Sequence, residues 1–159
     1  MTIAPLSPLT SPPAEFHLSI RVADLDASIA FYSALLGSPP KDRTARFATF
    51  LSTALRLNLV LVVNDSGQPL DTYSLYHLGL GLLDRESVIE SYHNALAQGW
   101  EVIKPPRTTW HGTPLHELWL RDPTGYQIEL YARLTPDELA QMPQDKRAVF
   151  LVSGTGAVI

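Results

Sequence analysis

Cysteine is absent from the 159 residues. Disulfides, thiolate zinc sites, iron–sulfur clusters and cysteine nucleophiles are thereby excluded, and any metal site must be built from histidine and carboxylate. Basic residues are also scarce: 12 Lys and Arg stand against 16 Asp and Glu, for a net charge of -4. The chain lacks the cationic excess that phosphate neutralisation demands, so nucleic acid is not expected as a ligand. No apolar run approaches the ~18–20 residues of a membrane span, and no membrane partner is expected. The opening stretch, with Pro5, Pro8, Pro12 and Pro13, has neither the basic flank nor the long apolar core of a signal peptide. Residues 1–15 read as a mobile proline-rich arm, and the protein as cytoplasmic. With 45% hydrophobic and 18% charged residues, the remainder has the composition of a folded domain.

What is present is a repeat. Phe16 to Val22 alternates apolar and polar residues as a half-buried strand does. Asp24 caps a helix from Leu25 to Leu36, which Gly37 ends. Two strands follow, Arg46 to Leu51 and Leu55 to Val63. The pattern then restarts 60 residues on: His17 corresponds to His77, Asp24 to Asp84, Ile29 to Ile89, Tyr32 to Tyr92 and Leu36 to Leu96. A strand is expected over Ser74 to Leu83 and a helix over about Glu86 to Ala97. A strand beginning at Trp100 is expected to be broken by Pro105-Pro106. Strands over Leu115 to Leu120 and Tyr126 to Ala132 flank the turn Asp122-Pro123-Thr124-Gly125. The fold class is α+β: two tandem βαβββ modules, about 16–65 and 74–134, whose curved sheets are expected to face each other around a cleft. Residues 135–159 form a C-terminal extension. In it Thr135 caps a short helix with Pro136 at its first position, and the apolar tail from Ala148 either pairs with a neighbouring subunit or packs on the parent domain.

His17 and His77 occupy equivalent places in the repeat, on the strand face opposite Phe16/Leu18 and Tyr76/Leu78. Glu129 sits between Ile128 and Leu130, where a carboxylate is costly to bury unless it is paired or bound to a cation. Arg21 or Arg56 would be the pairing alternative. Asn58 is the counterpart of Glu129 in the first module, either a weak neutral ligand or a strand hydrogen-bonding group. His17, His77 and Glu129 thus make a two-histidine, one-carboxylate set with open positions, suited to non-haem Fe(II), with Mn(II) or Zn(II) able to occupy the same donors. His111 and His116 flank Gly112-Thr113-Pro114 as proton-transfer candidates or solvent-exposed loop histidines. Trp119, Phe50 and Trp110 are candidates, with Asn58, for the walls of a substrate pocket.

These features, His17-Leu18 and His77-Leu78 opening the modules and Asp122-Pro123-Thr124-Gly125 with Glu129 closing the second, resemble the vicinal oxygen chelate superfamily over about residues 16–134. That group includes glyoxalase I, bleomycin- and fosfomycin-resistance proteins and type I extradiol dioxygenases. Thr109-Trp110-His111, Leu118-Trp119 and Asp122 to Glu129 look like the extradiol signature, in which the residue at His111 handles dioxygen or the ring substrate. Trp119 stands where that signature has Tyr, and Val60 to Tyr76 offers no acid–base His. Arg46 to Leu51, Leu57-Asn58-Leu59 and Thr108-Thr109 look like the cadmium-induced and carbon–arsenic lyase branch, whose paired cysteines are here Trp110 and His111. The resemblance implies a divalent-metal enzyme, with Fe(II) dioxygenase-like chemistry on a small oxygenated or aromatic molecule. A metal-free antibiotic-binding protein and a glyoxalase-type lyase or isomerase are its alternatives. A homodimer is expected.

Overall fold

The computed structural model describes residues 14–156, so most of the proline-rich arm and the last three residues lie outside the described residues. The chain divides into two units, Met1–Gln68 and Pro69–Ile159.

In the first unit, β1 (Phe16–Val22), α1 (Leu25–Leu36), β2 (Asp42–Arg43), β3 (Phe47–Ser52) and β4 (Leu57–Val63) form a helix-backed sheet of order β1-β4-β3-β2. The helix begins where the Asp24 carboxylate accepts the Ala27 N–H at 2.9 Å, and stops at Gly37, whose φ of 68° suits a residue without a Cβ. Strand alternation sends Ile20, Val22, Leu57, Leu59, Leu61 and Phe50 into the core with Ile29 and Tyr32 of α1. The other face carries His17, directly opposite Asn58 in the parallel β1–β4 register.

In the second unit, β5 (Leu78–Gly81), α2 (Arg85–Ala97), β6 (Glu101–Thr109), β7 (Leu115–Arg121) and β8 (Gln127–Arg133) repeat the order strand, helix, three strands. Two elements follow, α3 (Pro136–Ala140) and β9 (Val149–Phe150), and the sheet order is β5-β8-β7-β6-β9. Asp84 caps α2 as Asp24 caps α1, accepting the Ser87 N–H at 2.8 Å. Leu118, Leu120, Ile128 and Leu130 are buried on the face that receives α2 through Val88 and Ala95.

Two expectations are corrected, and one open alternative is decided. The strand expected over Ser74 to Leu83 is only Leu78–Gly81. The Asp71 carboxylate takes the N–H groups of Tyr73 and Ser74, folding that segment into a side-chain-stabilised turn, so His77 precedes the strand. Pro105 and Pro106 do not break β6. They sit within the register shift between Lys104 and Arg107 in the β6–β7 ladder, where no N–H is required of them, and the Pro106 carbonyl accepts the Leu151 N–H at 2.9 Å. The apolar tail, as far as it is described, joins its own unit: β9 pairs with β6 at Arg107 and Thr108. Among the described residues no helix is long and apolar enough to cross a membrane.

Candidate functional site

The β7 sequence Leu115-His116-Glu117-Leu118-Trp119-Leu120-Arg121 separates two chemistries by strict alternation. Leu118 and Leu120 go to α2. Glu117, Trp119 and Arg121 go to the opposite face, where cross-strand pairing lines them up with polar neighbours. One row reads Lys104, Trp119, Glu129, Gly79 and the next Arg107, Glu117, Tyr131, Gly81, in each case from β6 through β7 and β8 to β5. The glycines keep β5 low. A Cβ on Gly79 would stand 3.6 Å from a Glu129 oxygen and 3.7 Å from the His77 ring, and one on Gly81 would stand 3.3 Å from the Tyr131 hydroxyl.

Glu129 is the centre of this face. It is 8% exposed, and its Oε2 lies 3.2 Å from Nε2 of His77. Burial pushes its carboxyl above the usual 4.5. The attraction of His77 opposes that shift, the negative charge of Glu117 and a hydrogen bond with it reinforce it, and Lys104 opposes it weakly. Glu117 is in turn held by Arg107, whose Nε and Nη2 donate at 2.8 and 2.7 Å. Trp119, 4% exposed, meets the His77 ring edge-on at 4.8 Å between centroids and Tyr76 at 6.0 Å. Lys104 Nζ lies 3.9 Å above the same indole.

The first unit, taken by itself, carries the His17–Asn58 pair. His17 is exposed on β1. The Asn58 Nδ2 donates to Glu15 Oε1 at 3.3 Å, while its Oδ1 is buried without a partner among the described residues. Among the described residues no group of three or more His, Asp or Glu is gathered as a closed metal cluster. In the second unit His77 and Glu129 by themselves fit an ion. Two donors each ~2.0–2.2 Å from one ion in a roughly right-angled arrangement lie about 3 Å apart, as His77 Nε2 and Glu129 Oε2 do, and a cation would offset the cost of burying that carboxylate. Arg21, an alternative partner for Glu129, instead pairs with Asp65 at 3.2 Å.

Not every residue selected from the sequence joins this face. Phe50 pairs with Leu59 and packs against Tyr32 of α1, in the core and on the opposite side of its sheet from Asn58. Trp110 also leaves the pocket set: with Thr108, His116 and Phe150 it lines a cavity of about 280 Å³ beside α3 that reaches Arg85 of α2. His116 is not a loop residue. It lies on β7, 3% exposed, with Nδ1 at 2.9 Å from the Thr108 hydroxyl and Nε2 at 3.1 Å from Glu138. His111 is exposed on the bend after β6. Lys104, Arg107, Glu117 and Tyr76 were not singled out by sequence. The alternation of β7 around Trp119 marked the face, but the β6 register that delivers Lys104 to it depends on the shifts around the prolines.

A family model described as the Glyoxalase/Bleomycin resistance protein/Dioxygenase superfamily matches residues 16–130. The chain belongs to that superfamily. A trivalent organoarsenical cleaving enzyme of Thermomonospora curvata is 31% identical over 115 residues, covering 72% of this chain and 74% of its own. The cadmium-induced protein CadI of Mycobacterium tuberculosis is 30% identical over 122 residues, covering 77% and 78%. The crystal structure of a glyoxalase/bleomycin resistance protein from Albidiferax ferrireducens superposes with a TM-score of 0.61 at 26% identity, covering 74% of this chain and 97% of that one.

Proposed function

We propose that this protein is a divalent-metal enzyme in which His17, His77 and Glu129 hold the ion and the Trp119 face receives a small oxygenated or aromatic substrate, with Fe(II) dioxygenase-like chemistry as its reaction. The observation that carries this reading is the convergence of His77 Nε2 and Glu129 Oε2 at 3.2 Å on a buried, aromatic-lined face. A bound ion supplies a Lewis acid for vicinal substrate oxygens and, as iron, a redox centre for dioxygen. The chain's own residues do the rest. Glu117, fixed by Arg107, faces Glu129 and raises the proton affinity of its carboxylate. Tyr76, exposed beside the buried Trp119, offers its ring to a planar substrate. His111, on its exposed bend, is the candidate for moving a proton to or from the substrate.

The arsenic chemistry named for the T. curvata relative lacks a foothold here, because a chain without cysteine has no thiolate for a soft arsenic centre. Asn58, a neutral donor, disfavours the glyoxalase type of reaction by leaving the fourth corner weak. Elemental analysis of protein purified without chelator, followed by oxygen uptake with catechols, tests the proposal. Bound iron and oxygen consumption, both lost in His77→Ala, are expected. A protein that binds no metal and keeps an unaltered fold and ligand affinity in EDTA would instead be a metal-free binding module.

A further inference from the structure

We propose that Lys104 is the substrate-selecting residue of this site, and that it receives the carboxylate of a planar, aromatic acid laid against the exposed Tyr76 ring beside Trp119. The inference rests on reading the His77–Glu129 face as the substrate face. It comes from how the cations there are engaged. Arg107 is committed to Glu117 through two short contacts, and Arg121 to Glu101 at 2.9 Å and to the Gly125 carbonyl. Lys104 differs. Its ammonium lies 3.9 Å over the Trp119 ring, and none of its N–H donors meets a hydrogen-bond acceptor among the described residues. A carboxylate interacts with it through space: Glu129, next but one along the same cross-strand row. Once Glu129 is engaged by a cation, that attraction is spent, and the ammonium remains over the Trp119 ring without an acceptor among the described residues.

An incoming carboxylate supplies the missing acceptor and charge together. The surroundings set the rest of the ligand's chemistry. Trp119, the His77 ring edge and Tyr76 form a cluster of aromatic surfaces beside the ammonium, which favours a flat unsaturated frame over a branched aliphatic one. Lys104 rides on a strand whose register is reset on both sides of it, and that irregularity puts the lysine opposite Trp119, on the row that holds Glu129.

Benzoate and benzamide, which have nearly the same shape and differ in charge, test the inference by titration of intrinsic tryptophan fluorescence. Both chelator-treated and Mn(II)-loaded protein are used. Benzoate is expected to bind at least about tenfold more tightly than benzamide. Lys104→Met should abolish that preference and Lys104→Arg should retain most of it, with thermal melts confirming that both variants fold. Equal binding of the two probes, failure of both in the millimolar range, or a benzoate preference that survives Lys104→Met would overturn the inference. A Lys104-dependent preference in a protein that takes up no Mn(II) would leave the inference standing and remove the metal-enzyme reading.

Discussion

At Glu129 two physical demands oppose each other. The residue is buried, which favours its neutral form, yet it sits 3.2 Å from an imidazole nitrogen that favours its charged form. Burial wins, and Glu117 adds to it, so the carboxyl holds its proton to higher pH in the folded chain than in the unfolded one. An acid raised in this way stabilises the fold below its unfolded value and forfeits that contribution as pH rises through its folded value. Glu129→Gln mimics the protonated form. The metal-free variant is therefore expected to melt above the wild type at neutral pH, with the difference shrinking as pH falls from neutral toward 4.5, the ordinary value for the group. Thermal melts in EDTA across that range check this, and a difference independent of pH would contradict it. Metal uptake must displace that proton, so affinity should fall with pH across the same window. The sequence exposed the dilemma, a carboxylate between Ile128 and Leu130. It did not disclose Glu117 as the neighbour that deepens it, because that contact depends on the β7–β8 register.

Among the elements, the helix caps were the most legible features. Asp24 and Asp84, 60 residues apart, were read as caps from local sequence, and each accepts the expected N–H. Thr135 goes further. Its hydroxyl accepts the Glu138 N–H at 3.2 Å and Glu138 accepts the Thr135 N–H at 2.8 Å, a reciprocal box at the start of α3. That backbone N–H is the main cause holding the Glu138 carboxyl below its usual range. The stabilisation it gives is present above the ordinary carboxylate value and lost as pH falls through the lowered one. The same carboxylate reaches His116, so the cap also fastens α3 to β7. Thr135→Ala should cost about 1 kcal/mol in urea unfolding and speed amide exchange in α3, while leaving ligand binding at Trp119 unchanged. In the core, Leu118→Ala should cost about 2–5 kcal/mol by the same measurement, because Leu118 is fully buried on the face that receives α2. The strands were less legible. Pro105-Pro106 signals a break in any local reading, and the register shift that accommodates both prolines exists only in the pairing with β7. The two-residue strands β2 and β9 carry too little pattern to be seen before their partners are known.

For the molecule as a whole, the duplication was the feature that local propensity could not have supplied and the repeat did. Two βαβββ units, each with a capped helix on one face of a mixed sheet, follow from the recurrence at His17 and His77. The units are not equal copies. The first strand has seven residues in one and four in the other, and the second sheet is extended by β9. The histidines therefore sit differently, His17 within a strand beside Asn58 and His77 just ahead of one beside Glu129. The central claim is that these two imidazoles serve one ion, and counting coordinated histidines tests it most directly. Pulsed electron paramagnetic resonance on Cu(II)-loaded protein resolves the remote nitrogen of each coordinated imidazole. Two coupled imidazoles in the wild type and a single one in both His17→Ala and His77→Ala are the result expected. A single imidazole in the wild type, unchanged by His17→Ala, would contradict the claim.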